Sequence, residues 1–164
     1  MEKETFVYYE TLKNRYPNVR ILTWKKEFNY SAINNFAVRE AQGEYLLFLN
    51  NDVEIITENW LEEMLQLCQQ KDVGMAGAKL YYPDDTIQHA GVVVGLGGVA
   101  AHVLCKLPRD AEGYMGRLRC VQEISAVTAA CMMVKTSVFK AVGGFDEELK
   151  VAFNDIDLCM KVRK

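Results

Sequence analysis

No block of Lys or Arg longer than two residues occurs in this chain of 164 residues, and its net charge is −3. That balance gives no global attraction for nucleic acid. A phosphorylated ligand would instead need a metal, a helix N-terminus or a few placed basic groups. No Cys-x-x-Cys spacing occurs, and the five cysteines (Cys68, Cys105, Cys120, Cys131, Cys159) are odd in number. A zinc site or a disulfide framework is therefore not expected, and buried free thiols in a reducing cytoplasm are. The start, MEKETFVYYE, lacks the apolar core of a signal peptide. The longest apolar stretch, Ala90 to Ala101, is twelve residues with four glycines, too short to span a bilayer. The chain is expected to be soluble and cytoplasmic, with the inner face of a membrane as the place of a longer protein containing it. Repeats, low-complexity tracts and flexible linkers are also missing.

What is present alternates. A helix is predicted over about 3–15, ended by Pro17, and a short strand over Val19 to Trp24. Ser31 can cap a helix with the apolar face Ile33, Phe36, Ala37 and Ala41, closed by Gly43. Tyr45 to Leu49 reads as a strand buried on both faces. Thr57 can cap a second helix with the stripe Trp60, Leu61, Met64, Leu65 and Cys68. Val73 to Tyr82 is predicted as a strand, and Ile87 to about Gly98 as a glycine-rich strand with bulges. Leu104 to Gln122 reads as a long surface loop, Ile124 to Val134 as a second apolar strand, and Asp155 to about Arg163 as a helix. This order is the signature of an α/β sheet with parallel crossovers, in one domain spanning 1–164.

Two acidic sites carry the chemical argument. The first strand stops at Asn50-Asn51-Asp52, where open α/β sheets bind ligands. An Asp there can offer a hard oxygen to Mg²⁺ or Mn²⁺, although from this segment alone an Asn-Asn-Asp turn that merely ends a strand is the plainer reading. Asp155 and Asp157 follow the second apolar strand and the Gly143-Gly144-Phe145-Asp146 turn. Asn154 can cap a helix whose first-turn acids complement its dipole, and a carboxylate facing a cleft there can also act as a general base. His89 beside an apolar strand reads more readily as a structural hydrogen-bonding residue than as a ligand, and His102 has less support than His89. Trp24 and Trp60 can stack on a sugar or base, but Trp60 sits on the helix stripe.

Four segments in order resemble the family 2 glycosyltransferases, inverting enzymes with the GT-A fold: NYSAINNFAVREAQGEYLLFLNND, IQHAGVVVGLGG, SAVTAACMMVKTSVFKAVGGFDEEL and FNDIDLCMKVR. The nearest branch is the bacterial rhamnosyltransferase-like one. The resemblance implies a partial GT-A domain, an α/β fold whose mixed, mostly parallel sheet is flanked by helices. It puts the metal motif on Asn50-Asn51-Asp52, with Asn in place of the first Asp. Asp52 would be the ligand of Mn²⁺ or Mg²⁺. Asn50 and Asn51, with Asn35 of the Asn- and Ala-rich helix, would face a UDP- or dTDP-linked sugar donor. The base falls on Asp155; the usual preceding Glu is Asn154, so Asp155 is the one candidate base in the motif, and Asp157 braces its helix. Gly143 and Gly144 would form a tight turn beside the acceptor or donor sugar, and His89 would lie near the acceptor.

The implied function is metal-dependent, inverting transfer of a sugar from a nucleotide-diphosphate donor to a glycan or lipid-linked acceptor in surface polysaccharide synthesis. Family members also begin with strands that hold the nucleoside, which this chain lacks before Glu2. The central strand is therefore expected to show a bare edge, closed by a different pairing or by a second copy of the chain. That gap supports a rival reading, a catalytically incomplete fragment of the same fold acting as an interaction module. A nucleotidyltransferase would want clustered carboxylates and a phosphate loop, and neither is found.

Overall fold

The computed structural model describes residues 3–164. Helix α1 (Lys3–Arg15) ends before Pro17 and leaves Phe6, Val7 and Tyr8 exposed. The residues of the predicted 19–24 strand form no regular element and pair with no strand among the described residues. Arg20 instead forms an ion pair with Glu40, and Trp24 packs on Phe36 at 5.7 Å between ring centroids. The segment is thus held by side-chain contacts to Phe36 and Glu40 of the following helix rather than by a ladder.

Helix α2 (Tyr30–Glu40) is capped by Asn29, whose Oδ1 accepts the Ala32 N–H at 2.9 Å. Ser31, the expected cap, lies inside the first turn, fully buried, and donates to the Leu149 carbonyl at 2.7 Å. Strand β1 (Tyr45–Leu49) follows, then α3 (Trp60–Gln69) and β2 (Met75–Gly77). The helix α3 begins after Asn59 rather than at Thr57. The predicted 73–82 strand breaks after Gly77, where a Cβ would stand 2.4 Å from Val127. The chain then leaves the sheet to form the ladder of β3 (Leu80–Tyr81) with β4 (Ile87–His89). A hairpin of β5 (Val92–Val94) and β6 (Ala100–His102) comes next. The long loop contains a short 3₁₀ segment, Tyr114–Arg119. Strand β7 (Cys131–Lys135), α4 (Thr136–Ala141) and α5 (Asn154–Val162) complete the chain.

The main sheet has the order β1-β7-β2, and both pairings are antiparallel. This corrects the expected mostly parallel sheet, and the reason is specific. β1 and β2 do run parallel to one another, joined through α3 as a crossover unit requires, but β7 inserts between them in the opposite sense. An apolar run carries no direction, so its sequence does not reveal that insertion. The outer edge of β1 has no strand partner among the described residues.

Alternate residues of β1 and β7 enter two cores. Leu46, Phe48, Met132 and Val134 meet Val38, Phe139, Phe145, Leu158 and Cys159 on one face. Cys131 and Met133, with Tyr45 and Leu47 at the margin, meet Met64 and Cys68 of α3 on the other. Helices thus cover both faces of the sheet. Of β1, only the Leu46 and Phe48 face is fully buried; Tyr45 and Leu47 are half-buried and Leu49 is exposed, so the expected burial on both faces holds for one of them. Phe48, Phe139 and Phe145 stack in a triangle with centroids 5.0–5.6 Å apart, which seats the Gly143–Phe145 turn against the end of β1. Each such aromatic pair adds about 1 kcal/mol beyond area burial.

Candidate active site

Three consecutive residues just before β7 collect the motifs that the sequence had scattered. The Thr128 N–H donates to His89 Nε2 at 3.3 Å. The Ala129 N–H donates to Asp155 Oδ2 at 3.3 Å, and the Ala130 carbonyl accepts the Asn50 N–H at 2.9 Å. The Tyr30 hydroxyl donates to the Ala129 carbonyl at 3.2 Å. The small side chains of Ala129 and Ala130 let these partners approach the main chain directly.

Asp155 is half-buried in the first turn of α5. Phe153 precedes that helix with φ 64°, a left-handed conformation uncommon for a bulky residue and one that functional sites often carry. Asn154, expected as the cap, is the first helical residue, 4% exposed. Its Nδ2 donates to the Leu149 carbonyl at 3.3 Å, and its Oδ1 accepts the Asp155 N–H at 2.8 Å. The carboxylate itself accepts the Ile156 N–H on Oδ1 at 2.8 Å as well as Ala129 on Oδ2. Each carboxylate oxygen has room for a further donor. Burial, and secondarily the charge of Asp155, push the Tyr30 phenol up to about 12, so it stays a donor. Asp157 lies 2.6 Å from Lys161 as an ion pair one turn along α5, without the alignment of a hydrogen bond. That is the bracing place expected of it.

The Asn- and Ser-bearing helix α2 works as a clamp on the chain leading into Asp155. Asn29 Nδ2 donates to the Glu147 carbonyl at 2.8 Å, Ser31 to Leu149, and the Tyr30 N–H to Lys150 at 2.8 Å. Asn35, expected to face the donor, gives its amide to the same strap. Nδ2 donates to the Phe145 carbonyl at 2.9 Å and to Glu147 Oε1 at 3.1 Å, and Oδ1 accepts the Phe145 N–H at 3.1 Å. It lines a cavity of about 570 Å³ with Arg39, Lys140, Gly143 and Gly144. Trp24, weighed for stacking on a ligand, donates its indole N–H to the Glu27 carbonyl at 2.8 Å, and Trp60 packs against the α3 core.

A second cleft of about 240 Å³ contains Asp155. Its walls are Val92, Ala100, Ala101 and His102 from the β5–β6 hairpin and 151–156 from the start of α5. His89 is 2% exposed and lies behind this cleft, while the exposed His102 lines it. Of the two histidines, then, the one given less weight reaches the cleft. The available signal was the hairpin itself, VVVGLGGVAAH, whose register sets His102 opposite Val92.

Asn51 and Asp52 stand exposed on the turn beyond β1, one and two residues past the anchored Asn50. Among the described residues no group of three His, Cys, Asp or Glu side chains converges into a closed cation site. A lone exposed carboxylate fits the Mg²⁺ type of site, in which one or two carboxylates share the ion with substrate phosphates.

The chain matches the family described as Glycosyl transferase family 2 over residues 4–143. It is 51% identical over 164 residues to the Sinorhizobium fredii protein named "Uncharacterized protein y4gI", covering 99% of this chain and 18% of that protein. It is 42% identical over 147 residues to the "O-antigen biosynthesis protein RfbC" of Myxococcus xanthus, covering 89% of this chain and 12% of that protein. The chain thus spans less than a fifth of the length of either relative. No solved structure matches it. With a family match across most of its length, this chain belongs to glycosyltransferase family 2.

Proposed function

We propose that the chain is the transfer domain of an inverting, divalent-metal-dependent glycosyltransferase of polysaccharide synthesis. It would take a UDP- or dTDP-linked sugar and a glycan or lipid-linked acceptor, and would work in the cytoplasm, at the inner face of a membrane when part of a longer protein. The observation that carries this reading is the shared anchor: Asn50 and Asp155 bond to adjacent residues, Ala130 and Ala129. The relative named for O-antigen biosynthesis supports the polysaccharide setting. Among the described residues no helix is long and apolar enough to cross a membrane.

Asp52 would hold Mn²⁺ or Mg²⁺ and Asn50 and Asn51 would meet the donor's ribose or diphosphate. When bound, such an ion neutralises charge on the departing diphosphate. Asp155 would take the proton of the acceptor hydroxyl, its two oxygens kept in place by the Ala129 and Ile156 N–H groups. The oxygen so freed attacks the anomeric carbon from the face opposite the diphosphate, which inverts configuration.

Calorimetry with UDP, dTDP and GDP, with and without Mn²⁺, tests the donor site on wild type and Asp52→Ala. Metal-dependent binding that the variant loses is the expected result. A folded wild type that binds none of the three would overturn this reading. The rival, an interaction module, would then draw on the open edge of β1 and the exposed Phe6, Val7 and Tyr8.

A further inference from the structure

His89 and His102 meet edge to face, with Nδ1 to Nδ1 at 2.9 Å and ring planes 83° apart. Two nitrogens at that distance share one proton, and the surroundings decide which ring owns it. The other nitrogen of His89, Nε2, faces the Thr128 N–H. A main-chain N–H only donates, so His89 Nε2 must be the bare, accepting nitrogen and the ring proton lies on Nδ1. That proton points at His102, so His102 Nδ1 accepts it and the neutral His102 ring carries its own proton on Nε2. Burial, with His102 beside it, pushes His89 down to about 4, so the inner ring is neutral at physiological pH. One backbone N–H thereby fixes the tautomers of both rings.

The hairpin is what brings the second ring here. Gly91, at φ 110°, turns the chain after β4, and the Val103 N–H returns to the Gly91 carbonyl at 3.0 Å. His102, a donor in this tautomer, and Asp155, an accepting carboxylate, line the same cleft. Val92, Ala100, Ala101 and Phe153 add apolar wall to it. A donor, an acceptor and apolar surface in one cleft match a pyranose, which presents one hydroxyl to give, a neighbouring oxygen to receive and a C–H face to pack.

We propose that His102 binds the acceptor sugar by donating its Nε2–H to an oxygen near the hydroxyl that faces Asp155, and that His89 is a positioning residue that sets this donor. The inference rests on Asp155 being the base of the proposed transfer.

Histidine-selective nitrogen-15 labelling of the whole chain reads the tautomers directly. The expected spectrum has His89 protonated on Nδ1 and His102 on Nε2. Titration with methyl α-L-rhamnopyranoside and methyl β-D-glucopyranoside should shift His102 Nε2 for at least one of them. His102→Leu should weaken that sugar about tenfold, the worth of one hydrogen bond, and His102→Gln, which keeps a terminal N–H donor, should restore most of it. In His89→Asn, whose amide can still donate to His102 Nδ1, the Nε2–H form should persist; in His89→Leu it should become a mixture. A wild-type His102 carrying its proton on Nδ1, no shift with either sugar, or unchanged binding in His102→Leu would each overturn the proposal. Mn²⁺-dependent nucleotide binding on the same sample keeps the two readings apart. If nucleotide binds and the sugar ignores His102, only this inference falls. If no nucleotide binds, the transferase reading falls and the sugar titration alone judges His102.

Discussion

Asn35 Oδ1 lies 2.8 Å from the point where a Cβ on Gly144 would stand, and Phe139 Cε1 lies 2.9 Å from it. Gly144 also sits at φ 73°. Its neighbour Gly143, at φ 80°, has nothing within 4 Å of the same point. The two glycines therefore separate backbone strain from collision. Gly143→Ala should cost about 1 kcal/mol, from the left-handed conformation alone. Gly144→Ala should cost on the order of 3 kcal/mol, since the clamp on Phe145 must also give way. Urea unfolding of both variants checks this, and equal losses would refute the clamp.

Tyr30→Phe removes the hydroxyl that supports the Ala129 carbonyl but keeps the ring packed on Phe145, at 5.9 Å. About 1 kcal/mol of stability should be lost. Transfer should slow severalfold while diphosphate affinity stays unchanged, because the effect passes to Asp155 through Ala129. A fall in diphosphate affinity would place the disturbance at the Asn50 side instead.

Asp155→Asn keeps the shape of the side chain and removes its capacity to take a proton. Donor binding by calorimetry should match wild type, and transfer should drop roughly 10²- to 10⁴-fold. Retained transfer would dismiss Asp155 as the base.

His89 should make the fold sensitive to mild acid. Its folded value, about 4, lies below the ordinary 6.5, so the unfolded chain takes up a proton that the folded one refuses. Stability from this group is therefore complete above pH 6.5 and falls as pH drops towards 4, by on the order of 3 kcal/mol. Unfolding curves across that window should show the loss for wild type and a smaller one for His89→Gln. Parallel curves would refute a neutral, buried His89.

Thiol chemistry should divide the cysteines. Cys105 and Cys120 are exposed, whereas Cys68, Cys131 and Cys159 are buried. Burial pushes the Cys159 thiol up to about 11, and thiolate is the reactive form. Two thiols should react with a disulfide reagent in the native protein and the other three only on unfolding. The expectation that the cysteines are buried free thiols thus holds for three of the five.

The strand Tyr45–Leu49 and the helices around it were legible because a bounded apolar run and a 3.6-residue stripe both leave marks in the sequence. The reversed direction of β7 leaves none. Nor do helix caps chosen by distant partners: Asn29 outcompetes Ser31 because the Leu149 carbonyl recruits the serine hydroxyl. The candidate site was legible only as proposed residue types, Asp52 and Asp155, offered by family likeness. Its assembly was not, since the contacts on Thr128, Ala129 and Ala130 are made by backbone atoms that every residue possesses. His102 escaped for a related reason: its importance lies in which nitrogen of His89 is free, a matter of one amide 39 residues along the chain.

β7 is bonded on both sides, to β1 and to β2, and the three anchoring residues run straight into it. Central strands open only when the whole domain opens, so their amides are the slowest to exchange with solvent. The candidate catalytic groups therefore hang from the part of the molecule expected to breathe least, while the β5–β6 hairpin that walls the Asp155 cleft lies outside that sheet. Partial unfolding can strip away what surrounds a ligand, yet the spacing between Asn50, Asp155 and His89 will survive until the last cooperative transition.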